Sequence, residues 1–131
     1  MKEILALNLG EGDEVATFDL MGETIRLRRV GCRGDLEQAR ALIASCDGQL
    51  DAIALEGMPA ELRLGSAHRL HTGGQELKGA ATRTPVVDGS GVRPALERWG
   101  ITLVDRARPG IFKHKNILLV PGLNHEGLAQ A

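Results

Sequence analysis

The chain has 131 residues, 43% of them apolar and 25% charged, the size and balance of a single globular domain able to bury a core. Sixteen Lys and Arg against seventeen Asp and Glu leave a net charge of −1, so the bulk charge points neither to nucleic acid nor to an acidic membrane surface as partner. Aromatic content is 2%, with no Tyr and one Trp, so the core has to be built from Leu, Val, Ile and Ala packed between helices and sheet.

Apolar runs stay below the roughly 18 residues that a membrane span needs. The apolar stretch at Ile4–Leu9 is too short for a secretory leader and runs into Gly and acids, and Cys32 and Cys46 form no Cys-x-x-Cys pair. A soluble chain in a reducing cytoplasm is the expectation, with both cysteines as small buried apolar residues.

Along the chain, Ile4–Leu9 predicts a first strand, stopped by Gly10-Glu11-Gly12-Asp13. Alternation through Val15–Leu20 and Ile25–Arg28, joined by Met21-Gly22-Glu23, predicts a β-hairpin. Arg26, Arg28, Arg29 and Arg33 cluster there, and either an anion site or a solvated outer face fits them. Asp35 with Gln38 three residues on predicts a capped helix carrying Leu36, Ala39, Leu42, Ile43 and Cys46, ended by Asp47-Gly48. Leu50–Leu55 predicts a strand parallel to the first, turned at Glu56-Gly57-Met58-Pro59.

Leu62, Leu64, Gly65-Ser66 and Ala67–Leu70 suggest a second hairpin, and Thr72–Ala81 a helix. Pro85-Val86-Val87 then forms a short strand that delivers Asp88-Gly89-Ser90-Gly91 before a helical Val92–Trp99. A carboxylate at the carboxyl end of a strand is where α/β sheets hold ligands, and the flanking glycines let the backbone approach one. An ordinary helix entry capped by Asp88 or Ser90 fits the same residues. From Lys115, the apolar Asn116–Val120, the turn Pro121–Gly127 and a helical Leu128–Ala131 read as the first strand, turn and helix of a nucleotide-binding unit, with Gly122, Asn124, His125 and Gly127 as candidate cofactor residues. The expected organisation is a substrate-binding α/β domain over 1–114 and the start of a Rossmann-like unit over 115–131.

His68, His71, His114 and His125 show no His-x-x-x-His spacing and no neighbouring cysteine, so no metal site is expected.

The run Thr84-Pro85-Val86-Val87-Asp88-Gly89-Ser90-Gly91-Val92, the order of elements before it and Asn116–Ala131 after it resemble the bacterial quinate 5-dehydrogenase family, relatives of the shikimate dehydrogenases. The resemblance implies an α/β fold with a mixed sheet of about five to seven strands and helices packed on it. It also implies an oxidoreductase whose amino-terminal domain binds a polyhydroxylated acid, while a Rossmann domain binds NAD or NADP. Asp88-Gly89-Ser90-Gly91 matches the second half of the shikimate enzymes' Asn-Thr-Asp-Gly-x-Gly motif, which implies that Asp88 holds the reacting hydroxyl and that Thr84, Gly89, Ser90 and Gly91 line the substrate. Their lysine motif, Asn-Val-Thr-x-Pro-x-Lys, has no counterpart here. Lys78 is the sole lysine between Lys2 and Lys113, a candidate proton carrier by elimination and otherwise a helix-surface residue.

A stand-alone ligand-binding or regulatory domain is the alternative, as is a self-associating module whose Leu128 end docks on a partner; a homo-oligomer or a separate carboxyl-terminal domain is compatible with any of these.

Overall fold

A computed structural model describes residues 1–64, 67–119, 125–129 and 131. The architecture is α/β, with a mixed five-stranded sheet, a two-stranded sheet and helices. It divides into two compact units, 1–60 with 70–89 and 61–69 with 90–131.

In the first unit, β1 (Lys2–Asn8), β2 (Asp13–Leu20), β3 (Glu23–Gly31), β4 (Ala52–Leu55) and β7 (Val86–Val87) form the larger sheet in the order β2-β3-β1-β4-β7. The predicted hairpin is β2 and β3, antiparallel with Ala16 opposite Leu27 and Phe18 opposite Ile25. All other pairings are parallel: Leu5 lies beside Arg28 and Ile53, Leu7 beside Val30 and Leu55, and Ile53 beside Val86.

β1 and β3 are parallel yet joined by another strand, because β2 returns within the sheet plane. The Asn8–Gly12 link therefore crosses the end of β3. There the amides of Gly31, Cys32 and Arg33 donate to the carbonyls of Gly12, Asn8 and Gly10 at 3.0, 2.9 and 2.9 Å. Gly31 has no room for a side chain: a Cβ would stand 2.6 Å from the Gly10 carbonyl oxygen and 2.8 Å from the Glu11 carbonyl carbon.

Helix α1 (Leu36–Cys46) begins as expected, the Asp35 carboxylate accepting from the Gln38 amide at 3.0 Å. The crossover through α1 leads from β3 to β4 and that through α2 (Thr72–Lys78) from β4 to β7. Both advance the same way across the sheet, so right-handed crossovers place both helices on one face. Their buried Ala39, Ile43 and Leu77 pack with Leu5, Leu7, Ile53, Leu55, Cys32 and Met58. The opposite face, carrying Ile4, Ala6, Ile25, Leu27 and Ala54, receives no helix from this unit. Cys32 is buried and Cys46 packs at the core's edge, both as free thiols; burial pushes the Cys32 thiol up.

The second unit holds β5 (Glu61–Leu64) paired with β6 (Ala67–Leu70, up to Arg69), α3 (Arg93–Ala107) and α4 (Glu126–Ala129), which contacts α3 and β5. The turn expected at Gly65-Ser66 lies outside the described residues.

Several boundaries differ from the sequence reading. β4 starts at Ala52; Asp51 just before it donates its amide to the Glu3 carbonyl at 3.0 Å, while its carboxylate takes the Glu3 amide and pairs with Lys2. α2 stops at Lys78, with Gly79 as its cap. α3 runs eight residues past Trp99, through Gly100, since one glycine inside a helix costs only about 1 kcal/mol. α4 begins at Glu126, ahead of the expected Leu128.

The larger correction concerns Asn116–Val120. Residues 116–119 form no strand, and Ile117 and Leu118 are exposed; Val120 lies outside the described residues. An apolar run becomes a strand only when a neighbour completes its ladder, and no described strand pairs with this one. No helix among the described residues is long and apolar enough to cross a membrane.

Candidate functional site at the carboxyl ends of the parallel strands

The parallel strands direct their carboxyl ends to one edge of the first unit, where open α/β sheets take ligands. β1 ends in Asn8, whose Oδ1 accepts from the Gly10 amide at 2.7 Å and tightens the turn. β4 is followed by Glu56, its amide held by the Leu7 carbonyl at 2.7 Å, and by Gly57 at φ 72°. β7 is followed by Asp88 and then by Gly89 at φ 73°, a conformation that favours glycine.

Asp88 Oδ2 accepts from the Ala60 amide at 2.8 Å, joining the loops after β4 and β7. The Ala60 carbonyl accepts from the His71 amide at 3.0 Å and from Gln75 Nε2 at 3.2 Å, which ties the start of α2 to the same loop. His71 Nδ1 caps α2 by accepting from the Gly74 amide, and Gly74 is pressed against Pro59, whose carbonyl oxygen would stand 2.3 Å from a Cβ there. Asp88 is thus half-buried and fixed in direction by a backbone donor.

The arginine cluster resolves into surface ion pairs. Arg29 reaches Glu56 at 3.1 Å and Glu14 at 2.9 Å, and Arg26 reaches Glu3 at 3.5 Å. The hydrogen bond and charge of Glu56, with those of Glu14, hold the Arg29 guanidinium protonated beyond its ordinary range. Neighbouring acids therefore answer these two arginines, which is the solvated-face reading of the pattern.

Other expected site residues lie elsewhere. Thr84 is buried at the amino end of β7, its hydroxyl accepting from the Gly48 amide at 2.7 Å and donating to the Leu50 carbonyl at 3.5 Å. Four residues of extended chain put roughly 13 Å between it and Asp88. Lys78 is exposed at the far end of α2, roughly 10 Å of helix from the Ala60 loop, so the structure does not bring it to Asp88. Ser90 and Gly91 belong to the second unit, and Gly122 and Asn124 lie outside the described residues.

Within the second unit, His125 Nδ1 meets Glu97 Oε1 at 2.6 Å, while Glu97 Oε2 is buried with no partner among the described residues. Gly127 lets α4 approach α3, since a Cβ would stand 2.3 Å from the Pro94 carbonyl oxygen and 2.8 Å from Glu97 Cβ. Glu97 has no signal in the sequence, because its partner is 28 residues away. No group of three or more metal-ligating side chains occurs among the described residues.

Residues 3–88 match a family described as a domain of unknown function, DUF8753. The chain belongs to this family. The DUF8753 segment ends at Asp88 and takes in the five-stranded sheet with α1 and α2, together with β5 and β6 of the second unit. No curated protein and no solved structure matches the chain.

Proposed function

We propose that the first unit binds a small hydroxylated acid at the carboxyl ends of β1, β4 and β7, as the substrate-binding part of an NAD(P)-dependent dehydrogenase of quinate/shikimate type. The observation that carries this reading is Asp88, at the end of β7 before a glycine of positive φ, with its carboxylate oriented by the Ala60 amide. A carboxylate so held accepts a hydrogen bond from a substrate hydroxyl and favours hydroxylated ligands over their deoxy analogues.

In this reading we assign no dinucleotide site to the described residues. His125 is engaged by Glu97, Gly127 is closed by Pro94, and residues 116–119 make no strand to lead into a phosphate-binding turn. On this reading the chain contributes substrate binding alone, and a nicotinamide-binding domain joined to it would supply the hydride acceptor. A stand-alone ligand-binding or regulatory role is the second reading, favoured by a DUF8753 match that takes in the whole five-stranded sheet and stops at Asp88, before α3 and α4.

Calorimetric titration of the chain with quinate, shikimate, NAD and NADP tests this. Saturable binding of quinate or shikimate is expected, weakened at least tenfold in Asp88→Asn while the melting temperature changes little, because an Asn oxygen can still accept from the Ala60 amide. Absence of quinate and shikimate binding, or equal binding in the variant, would set the Asp88 reading aside.

A further inference from the structure

We propose that the basic turn after α3, residues 106–118, is a contact surface for anionic lipid, through which the second unit docks on a negatively charged bilayer. The chain's net charge of −1 conceals an uneven split. The first unit carries eight Lys and Arg against thirteen Asp and Glu, the second eight against four. Half of the second unit's cations, Arg106, Arg108, Lys113 and Lys115, fall within ten residues with His114 among them, and no acid occurs between Asp105 and Glu126.

The backbone gathers these charges. The Arg108 amide closes α3 on the Val104 carbonyl at 2.9 Å, and the amides of Ile111, Lys113 and Lys115 donate to the carbonyls of Arg108, Gly110 and Phe112 at 3.1, 3.0 and 3.2 Å. Each of the last three is a reverse turn that keeps residues three apart within about 7 Å, so the cations share one compact turn in place of an extended tail. Asp105, the nearest acid in sequence, accepts from the Gly110 amide at 3.2 Å. A helix favours cations at its carboxyl end, but only over the last turn, which covers Arg106 and Arg108 and leaves Lys113 and Lys115 unexplained. All four are exposed and none has a side-chain partner among the described residues, whereas Arg63 in the same unit is answered by Glu61 at 2.7 Å.

Unpaired cations alone would suit any polyanion, and their neighbours choose among them. Ile111, Ile117 and Leu118, in the same segment, are exposed by 37, 60 and 86%. Nucleic acid calls for aromatic faces that stack on bases, and the segment's one aromatic residue, Phe112, is half-buried. Aliphatic side chains interleaved with Lys and Arg instead suit the boundary between headgroups and acyl chains, where the cations meet lipid phosphates and the Ile and Leu leave water.

Co-sedimentation of the whole chain with vesicles tests this, using phosphatidylcholine alone and phosphatidylcholine with about 30% phosphatidylglycerol. Binding to the anionic vesicles alone, weakening as salt rises from about 0.05 M to about 0.5 M, is the expected result. Lys113→Gln combined with Lys115→Gln should weaken it roughly tenfold or more, since each cation near the surface contributes about fivefold. Leu118→Ser should weaken it severalfold, and both variants should keep an unchanged circular dichroism. Arg40→Gln combined with Lys78→Gln, an equal loss of charge from exposed positions of the first unit, should bind as the unaltered chain does. No binding to anionic vesicles overturns the proposal, as does an equal loss in the first-unit variant, which would mark net charge alone. Binding that Leu118→Ser leaves intact, or a single-stranded oligonucleotide held more tightly than the vesicles, overturns the assignment to lipid.

Discussion

At the scale of single residues, Asp47, at the end of α1, is a heavily coordinated carboxylate. It accepts from the backbone amides of Thr82, Arg83 and Thr84 at 3.0, 2.9 and 2.8 Å and from the Thr82 hydroxyl at 3.0 Å, a nest of amides closed on an internal anion. The Thr82 and Thr84 amides above all hold its carboxyl well below the ordinary 3.8. A carboxyl depressed in the folded state stabilises fully above its unfolded value and loses that contribution as pH falls through the folded one. Asp47→Asn should therefore lower the melting temperature at pH 7 by several degrees, with the gap narrowing progressively below pH 3.8. A gap that stays constant between pH 6 and about pH 2 would show that the charge is immaterial. Nothing near Asp47 in sequence announces this, because the three amides lie 35 to 37 residues away. Asp35 is the contrast: its cap partner is three residues away, so the pattern is written locally.

At the scale of elements, the sequence is most legible where a segment's own periodicity decides its form. The β2–β3 alternation, the apolar side of α1 and the Val86-Val87 strand all appear close to where periodicity predicts them. It is least legible where an element depends on a distant neighbour, as at 116–119, or where a breaker is tolerated, as at Gly100. That tolerance can be measured. Gly100 sits in the interior of α3 without positive φ and with open space at its Cβ, so Gly100→Ala should raise stability by about 0.5–1 kcal/mol, seen as a higher melting temperature and more helical circular dichroism. A lower melting temperature would mean that the glycine serves a contact beyond the single chain.

Across the whole molecule, the α/β class and the parallel pairing of β1 with β4 follow from patterns read along the chain, whereas the division into two units does not. The excursion 61–69 leaves the first unit and the chain returns at Leu70, a spatial fact that local patterns do not carry. The candidate site shares this limit: Asp88 is visible as a motif, but its anchor at Ala60 arises only once β4 and β7 are adjacent. The same scale governs Gly31. Its Cβ would collide with backbone atoms of the Asn8–Gly12 link rather than with a flexible side-chain end, so Gly31→Ala should destabilise the first unit by roughly 2–3 kcal/mol. Denaturant unfolding measures this, and a loss under about 0.5 kcal/mol would show that the link yields.

That crossing also constrains the order of assembly. β1 and β2 are joined by only four residues, yet a third strand lies between them, so β3 cannot pair with both unless the chain doubles back on itself early. The β2–β3 hairpin is local and closes cheaply, whereas β1 gains its second neighbour, β4, only after α1 has crossed. β1 is thus the keystone, held on both sides by strands that arrive by different routes. Its central amides, those of Leu5, Ala6 and Leu7, are expected to exchange with solvent hydrogen only through global unfolding, while the edge strand β2 exchanges through partial openings that leave the core intact.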